Sequence, residues 1–418
     1  MSTPEDDEPP VIAPTPEAPG EGAPLTVAGR LSGYLSGGGI ITPLLTALLA
    51  FAVGGLVVAL TGKDPIATYK AIFDGTGLNW FFPWISGDDR TVAALNLQQT
   101  LILTTPLILT GLAVAFAFRC GLFNIGGQGQ YLVGSYMAVW LGSSFDSMAA
   151  FPHIVICMLG ACAGGALWGG IAGLLKATTG ANEVITTIML NWIALWVGVW
   201  LVNLNGPLQN TEQKSVPVSP DIVEGAKLPV FWGDPQLQGL HIGLFIALAS
   251  LLVFWVLLNR TVTGYEVRAV GFNPDAARAA GISVSRNYIL VMAICGLFAG
   301  LASALDLLGW QFRIATNDVQ ISQIGFLGIA VALLGRNTAV GVFFSALLFG
   351  ALLTGTSVRN LDPDVFQPEL ATALTSIIQG LIVLFVSADI LVVYLWRLRR
   401  RIRRPGGKGR ADSEAVAA

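Results

Sequence analysis

Two histidines, four cysteines and a sparse set of carboxylates are all that 418 residues offer to covalent or metal chemistry. His153 and His241 stand singly at the outer ends of apolar segments, while Cys120, Cys157, Cys162 and Cys295 lie within apolar stretches without metal-type pairing. A zinc site needs converging ligands, and a Ser-His-Asp relay needs its histidine beside a nucleophile, so neither chemistry has its parts. The histidines are expected at the membrane interface, and the cysteines as small buried residues. Asp88-Asp89 and the pair Asp362 and Asp364 border Gly or Pro and read as turn residues. The Gly-Lys pairs Gly62-Lys63 and Gly407-Lys408 lack the Ser or Thr that follows in a phosphate-binding loop, so ATP is not held by that device.

What the chain does offer is amides. The segment NIGGQGQ, residues 124–130, sets Asn124, Gln128 and Gln130 among three glycines in otherwise apolar surroundings. A broken helix frees backbone groups that lipid cannot satisfy but a polar passage can, so these three residues and Asn191 are the candidate translocation residues. The alternative, that the amides bond neighbouring helices and the glycines serve packing, stays open. Asn182 and Glu183 read instead as the cap and first-turn acid of the next span. Charge at mid-membrane is scarce: Glu183 and Asp306 fall near predicted span ends, and Asp389 precedes the basic tail. A neutral, hydroxyl-rich or heterocyclic solute therefore suits the passage better than an ion. An ion-gradient-driven carrier is the second reading, and a membrane-embedded enzyme the third.

The elements that must hold these residues follow from composition. Hydrophobic residues make up 54% of the chain and charged residues 12%, against roughly 25% charged in a soluble domain. Such a chain is solvated by lipid, which excludes a disordered or nucleic-acid-binding protein, and the net charge of −3 implies no polyanionic partner. The fold expected is all-α and polytopic. Apolar stretches of bilayer length run near 40–60, 97–118, 152–175, 184–203, 241–258, 288–308, 338–357 and 372–396. Two more, near 124–142 and 320–335, are punctuated by Gly and Gln and read as broken or re-entrant, giving about ten transmembrane helices. With ten crossings and the basic tail at 397–418 inside, most of the 23 Lys and Arg residues fall on the cytoplasmic side, with both termini. Residues 1–39 form an acidic, Pro-rich tail too polar to fold alone, without the features of a cleaved signal, ahead of a permease body at 40–396. Outer loops near 62–96 and 204–240 carry Trp80, Trp84 and Trp232, and residues 66–74 read as a short amphipathic surface helix.

The longest cytoplasmic loop, 259–287, has its own punctuation. Asn273 suits a helix cap and Pro274 the first helical position, Ala276, Ala277, Ala279 and Ala280 favour helix, and Gly281 suits its end. A helix of two turns is too short to stand alone, so either its own bundle or a partner's groove must hold it.

The run RAVGFNPDAA from Arg268 to Ala277, closing on Gly281-Ile282, resembles the coupling loop of bacterial ABC-type import permeases of the branched-chain amino acid, ribose and nucleoside group. GLFNIGGQGQ at 121–130, NEVITTIMLN at 182–191, GIAVALLGRN at 328–337 and IIQGLIVLF at 377–385 resemble the nucleoside and simple-sugar branch. The resemblance implies a permease subunit in the bacterial plasma membrane, without cofactor or catalytic activity, moving a nucleoside or simple sugar inward. It implies as partners an ATP-binding cassette ATPase, a second and different permease chain, and an extracytoplasmic solute-binding lipoprotein. It implies further that Arg268, Gly271, Asn273, Pro274, Ala276, Ala277 and Gly281 belong to the ATPase-coupling element. Gln128 and Leu327 stand where many relatives carry an acidic and a polar residue, so no charge-dependent solute contact is implied there.

Overall fold

The computed structural model describes residues 41–235, 239–357 and 368–387. The acidic stretch 1–39, Asp362, Asp364, Asp389 and the basic tail 397–418 lie outside the described residues.

Helix α1 (Ile41–Leu60) leads through a tight turn into α2 (Pro65–Thr76), whose start is set by Pro65 and by Asp64 accepting from the Ile66 N–H at 2.9 Å. This is the short helix expected at 66–74. It is amphipathic as expected: Thr68 and Ile72 are buried against the body, while Ile66, Lys70 and Phe73 are exposed. Helix α3 (Gly87–Arg119) has 33 residues and is followed by α4 (Gly127–Gly142), α5 (Ala150–Thr179) and α6 (Glu183–Val202). Asp88 and Asp89 fall in the first turn of α3, where acids complement the helix dipole, and not in the loop expected from their neighbours. A hairpin of β1 (Val230–Trp232) and β2 (Leu240–His241) precedes α7 (Gly243–Arg260). Two short helices, α8 (Val262–Phe272) and α9 (Pro274–Ala279), connect to α10 (Val284–Asp306), which runs on as a π-helical turn, Leu307–Gln311. Then come α11 (Thr316–Ile321), α12 (Ile324–Leu334), α13 (Ala339–Gly355) and α14 (Pro368–Ser387). The loop 259–287 thus holds two helices where one was expected: Thr261 starts α8 by accepting from the Gly264 N–H at 3.1 Å.

Among the described residues six helical stretches are long and apolar enough to cross a membrane: α3, α5, α6, α7, α10 with its π turn, and the run Thr316–Leu334. The chain is an all-α polytopic membrane protein. Helices α3 and α10 form the centre, whereas α5 and α6 turn most of their surface outward. On α6, Met189, Trp192, Trp196 and Trp200 are all exposed, a face that water would penalise and lipid accepts.

The closest seam in the body joins α5 to α10 and is built of small residues. A Cβ on Gly165 would lie 2.2 Å from the Gly296 carbonyl oxygen, one on Gly296 would lie 2.0 Å from the Gly165 oxygen, and one on Gly300 would lie 2.1 Å from the Ala161 oxygen. All of these obstacles are backbone, which cannot swing aside, so the two helices approach only because these positions lack side chains. Cys120, Cys157 and Cys295 are buried and Cys162 partly so, all unpaired. His153, in the first turn of α5, and His241, just before α7, are 0% and 1% exposed, both covered by protein. Each ring is held by backbone, His153 Nε2 3.0 Å from the Leu141 oxygen and His241 Nδ1 accepting from the Gly243 N–H at 3.2 Å.

Gly296→Val and Gly300→Val are expected to destabilise the purified protein by at least the about 1–3 kcal/mol typical of overpacking. Gly170→Ala, with nothing within 4 Å of the added carbon, should leave stability unchanged or slightly raised. Thermal unfolding in detergent, followed by the loss of the monodisperse species, checks both.

Candidate functional site

Between α3 and α4 the chain is not helical, and the amides singled out in the sequence are what secure it. Asn124 Oδ1 accepts from the Gly126 N–H at 2.9 Å, and the Asn124 and Gln130 amides pair reciprocally at 3.1 and 3.2 Å. Asn191 reaches over from α6. Its Oδ1 accepts from the Gly129 N–H at 2.8 Å, one of the first-turn donors that α4 cannot satisfy internally, and its Nδ2 donates to the Ile125 oxygen at 3.0 Å. Gln128 spans a second break, the one between α11 and α12: Nε2 donates to the Ser322 oxygen at 2.8 Å, and Oε1 accepts from the Gly325 N–H at 2.9 Å. Gly325 permits that approach, since a Cβ there would lie 2.3 Å from the Gln128 Cα. All four residues are buried, and the structure brings them into one layer in which they bond backbone or one another. At the neighbouring helix start, Asn182 Oδ1 accepts from the Val184 and Ile185 N–H groups and Glu183 pairs with Lys176 at 2.9 Å, as the cap reading expects.

Next to this layer, at Ser322, lies a cavity of about 480 Å³. Its wall includes Tyr131, Ser135 and Tyr136 of α4, Trp310 and Gln311 of the π turn, Asn317 and Asp318 of α11, Arg313 and Ser322, with aliphatic side chains between them. None of the four sequence-chosen amides lines it; Gln128 borders it through Ser322. The long segment after α6 straps the wall in place. The Ser219 and Ile222 N–H groups donate to the Ile314 and Phe312 oxygens at 2.8 Å, and Leu228 N–H donates to the Leu308 oxygen at 2.7 Å.

Behind the wall is the residue that sequence reasoning undervalued. Asp306 is 1% exposed, deep in the body rather than at an accessible helix end. It accepts from the Tyr131 hydroxyl, from the Trp310 indole N–H, and from Gln311 Nε2 at 2.8 Å. Five residues exceed one α-helical turn, but a π turn widens the helix so that positions i+4 and i+5 both face residue i. The available signal was a lone carboxylate closing an apolar run, followed four and five residues later by Trp and Gln.

The second cluster is at the α8–α9 corner. Asn273 Oδ1 accepts from the Asp275 and Ala276 N–H groups, each at 3.0 Å, and Pro274 occupies the first helical position. Gly281, at φ +82°, follows the last turn. Of the residues expected to couple, Gly271 and Ala277 face their own chain: a Cβ on Gly271 would lie 2.4 Å from the Arg119 oxygen, and Ala277 is buried. Arg268 is half-buried and donates to Asn259 Oδ1 at 3.3 Å. Asn273, Ala276 and Gly281 are exposed and Pro274 partly so. Phe272, not singled out in the sequence, is 91% exposed between the two helices.

Known proteins share this chain's pattern over most of its length. Residues 96–387 match the family described as the permease component of branched-chain amino acid transport systems. The guanosine ABC transporter permease NupP of Bacillus subtilis is 37% identical over 358 residues, 85% of this chain and 95% of the relative. The nucleoside ABC transporter permease NupB of Lactococcus lactis is 32% identical over 84% of this chain and 92% of its own length. The glucose ABC transporter permease TsgB13 of Haloferax volcanii is 34% identical over 82% of this chain and 86% of its own. A multi-span helical body and these matches lead to one conclusion: the chain belongs to the branched-chain amino acid transport system permease family, as an ABC transporter's membrane component and not its ATPase.

Proposed function

We propose that this chain moves a nucleoside or a simple sugar into the cytoplasm as one membrane subunit of an ATP-driven importer. The observation that carries the reading is the cavity of about 480 Å³, whose wall sets tyrosine, tryptophan and amide side chains beside one cation and one anion, Arg313 and Asp318, in a chain 37% identical to a guanosine permease. Aromatic faces and amides suit an uncharged solute with a ring and hydroxyls. Asn124, Gln128, Gln130 and Asn191 form the floor of the pathway, and the solute passes when the Gln128 clasp between α11 and α12 opens.

The body crosses the membrane ten times. In support, each apolar stretch of the sequence contains a helix, with breaks before α4 and at Ser322–Gln323. The excess of Lys and Arg at one side puts both termini in the cytoplasm of a bacterial cell. Power comes from a separate ATPase subunit that grips the α8–α9 corner. Phe272 offers an exposed aromatic anchor there, while Asn273, Ala276 and Gly281 keep the adjoining surface low enough for close approach. A second permease chain and an extracytoplasmic binding lipoprotein complete the importer.

Cells with the complete importer should accumulate labelled guanosine, uridine or ribose, and lose that uptake when this subunit is deleted; unchanged uptake of all three overturns the transport reading. Phe272→Asp should abolish co-purification of the ATPase subunit while membrane levels of this chain stay normal, whereas retained co-purification removes the corner from the docking site. Gln128→Leu leaves the Ser322 carbonyl and Gly325 N–H without their partner, at a cost of about 1–3 kcal/mol for each buried group. That variant is expected to lower the unfolding temperature of the purified importer and to reduce uptake together.

A further inference from the structure

A buried carboxylate that accepts three hydrogen bonds from groups lining one cavity organises that cavity's wall. We propose that Asp306 is the positioning residue of a solute-selective subsite, in which Trp310 and Tyr131 receive the planar heterocycle of a nucleoside and Gln311 meets its edge. This inference rests on the nucleoside reading above and deepens it.

The geometry supports the assignment from three directions. First, Asp306 uses both carboxylate oxygens on the wall: Oδ1 on the Trp310 indole N–H, and Oδ2 on the Tyr131 hydroxyl and on Gln311 Nε2 at 2.8 Å. Tying down the polar edge of Trp310 fixes the plane of its ring and leaves the ring face as contact surface, and faces are what stack on a heterocycle. Secondly, Trp310 and Gln311 belong to the π turn, a conformation that interrupts a long helix. Phe312 follows at φ +58°, in the left-handed region that a bulky side chain disfavours. The backbone is thus held in an uncommon shape at the place where it borders the cavity. Thirdly, an ionisable group 1% exposed in an apolar body is retained only where its partners need it, and here all three partners line the cavity. Gln311 Nε2 is engaged by Asp306 and by the Tyr131 hydroxyl, which leaves its carbonyl to accept from a donor on the edge of a nucleobase.

Asp306→Asn preserves size but replaces one acceptor oxygen with a donor, so at least one of the three wall groups loses its partner. The test uses cells with the complete importer, labelled guanosine, uridine and ribose, and three variants, each normalised to membrane level and to co-purification with the ATPase subunit. Trp310→Ala is expected to lower guanosine uptake about tenfold or more, chiefly through a raised apparent KM, in line with the loss of one base–aromatic stack. Trp310→Phe, which keeps an aromatic face but not the N–H, and Asp306→Asn are expected to give intermediate losses and to lower the guanosine-to-ribose uptake ratio. A merely structural role would reduce all three solutes in parallel without moving that ratio, and this outcome overturns the proposal. Wild-type uptake ratios in both Asp306→Asn and Trp310→Ala overturn it equally. A wild-type importer that takes up ribose alone defeats the ring subsite while leaving the permease reading intact; one that takes up none of the three defeats both. Should Asp306→Asn fail to reach the membrane, Trp310→Phe and Trp310→Ala decide the matter, because they alter the cavity surface and leave the buried carboxylate in place.

Discussion

Helices that start or stop inside an apolar body leave backbone N–H and C=O groups that nothing but protein can satisfy, and the rest of this molecule is arranged around meeting that requirement. Three such ends converge here: the non-helical approach to α4, the start of α4 itself, and the gap between α11 and α12. Asn124, Asn191 and Gln128 answer them with paired donor and acceptor groups, an ability that only amide side chains combine without charge. Replacing them with hydroxyls would supply too few groups, and with carboxylates no donors.

The glycines around this layer serve a different end. Gly325 lets Gln128 lie against the backbone of α12, and the Gly165, Gly296 and Gly300 seam brings α5 within backbone contact of α10. Helices in lipid gain nothing from hiding apolar surface, so close van der Waals contact is what holds them together. That seam anchors α10, and α10 carries Asp306 and the π turn to the cavity. A carboxylate in such surroundings is costly unless fully engaged, and three donors from two helical segments engage it.

Packing also links the α8–α9 corner to the layer of buried amides. Gly271 rests on the Arg119 and Cys120 backbone, where α3 ends. Five residues on, the same chain becomes the segment that Asn124 and Asn191 secure. Arg119 in turn donates to the Asn337 oxygen at 2.7 Å, tying this junction to the turn after α12. The C-terminal end of α8 thus rests on the end of α3 through backbone-on-backbone contact, which yields little, and the Arg119 side chain carries the junction to the turn after α12.

The apolar stretches, the cap at Asn182, the cap and proline at Asn273-Pro274, and the break at the Gly- and Gln-rich segment were all legible along the chain, because each depends on neighbours within a few residues. The same locality explains what was not legible. The partners of Gln128 and Gly325 are 197 positions apart and those of Tyr131 and Asp306 are 175 apart, so no periodicity could pair them. That His153 and His241, which end apolar runs, are covered by protein was not legible either, because burial comes from what folds over a segment and not from its own composition. Sequence alone determined that this is a lipid-solvated helical body with amides at its breaks, since hydropathy and capping are local free energies. Only the tertiary structure decided that those amides bond backbone and one another while an aspartate-braced aromatic group borders the cavity, since which groups face a void is set by packing between distant helices.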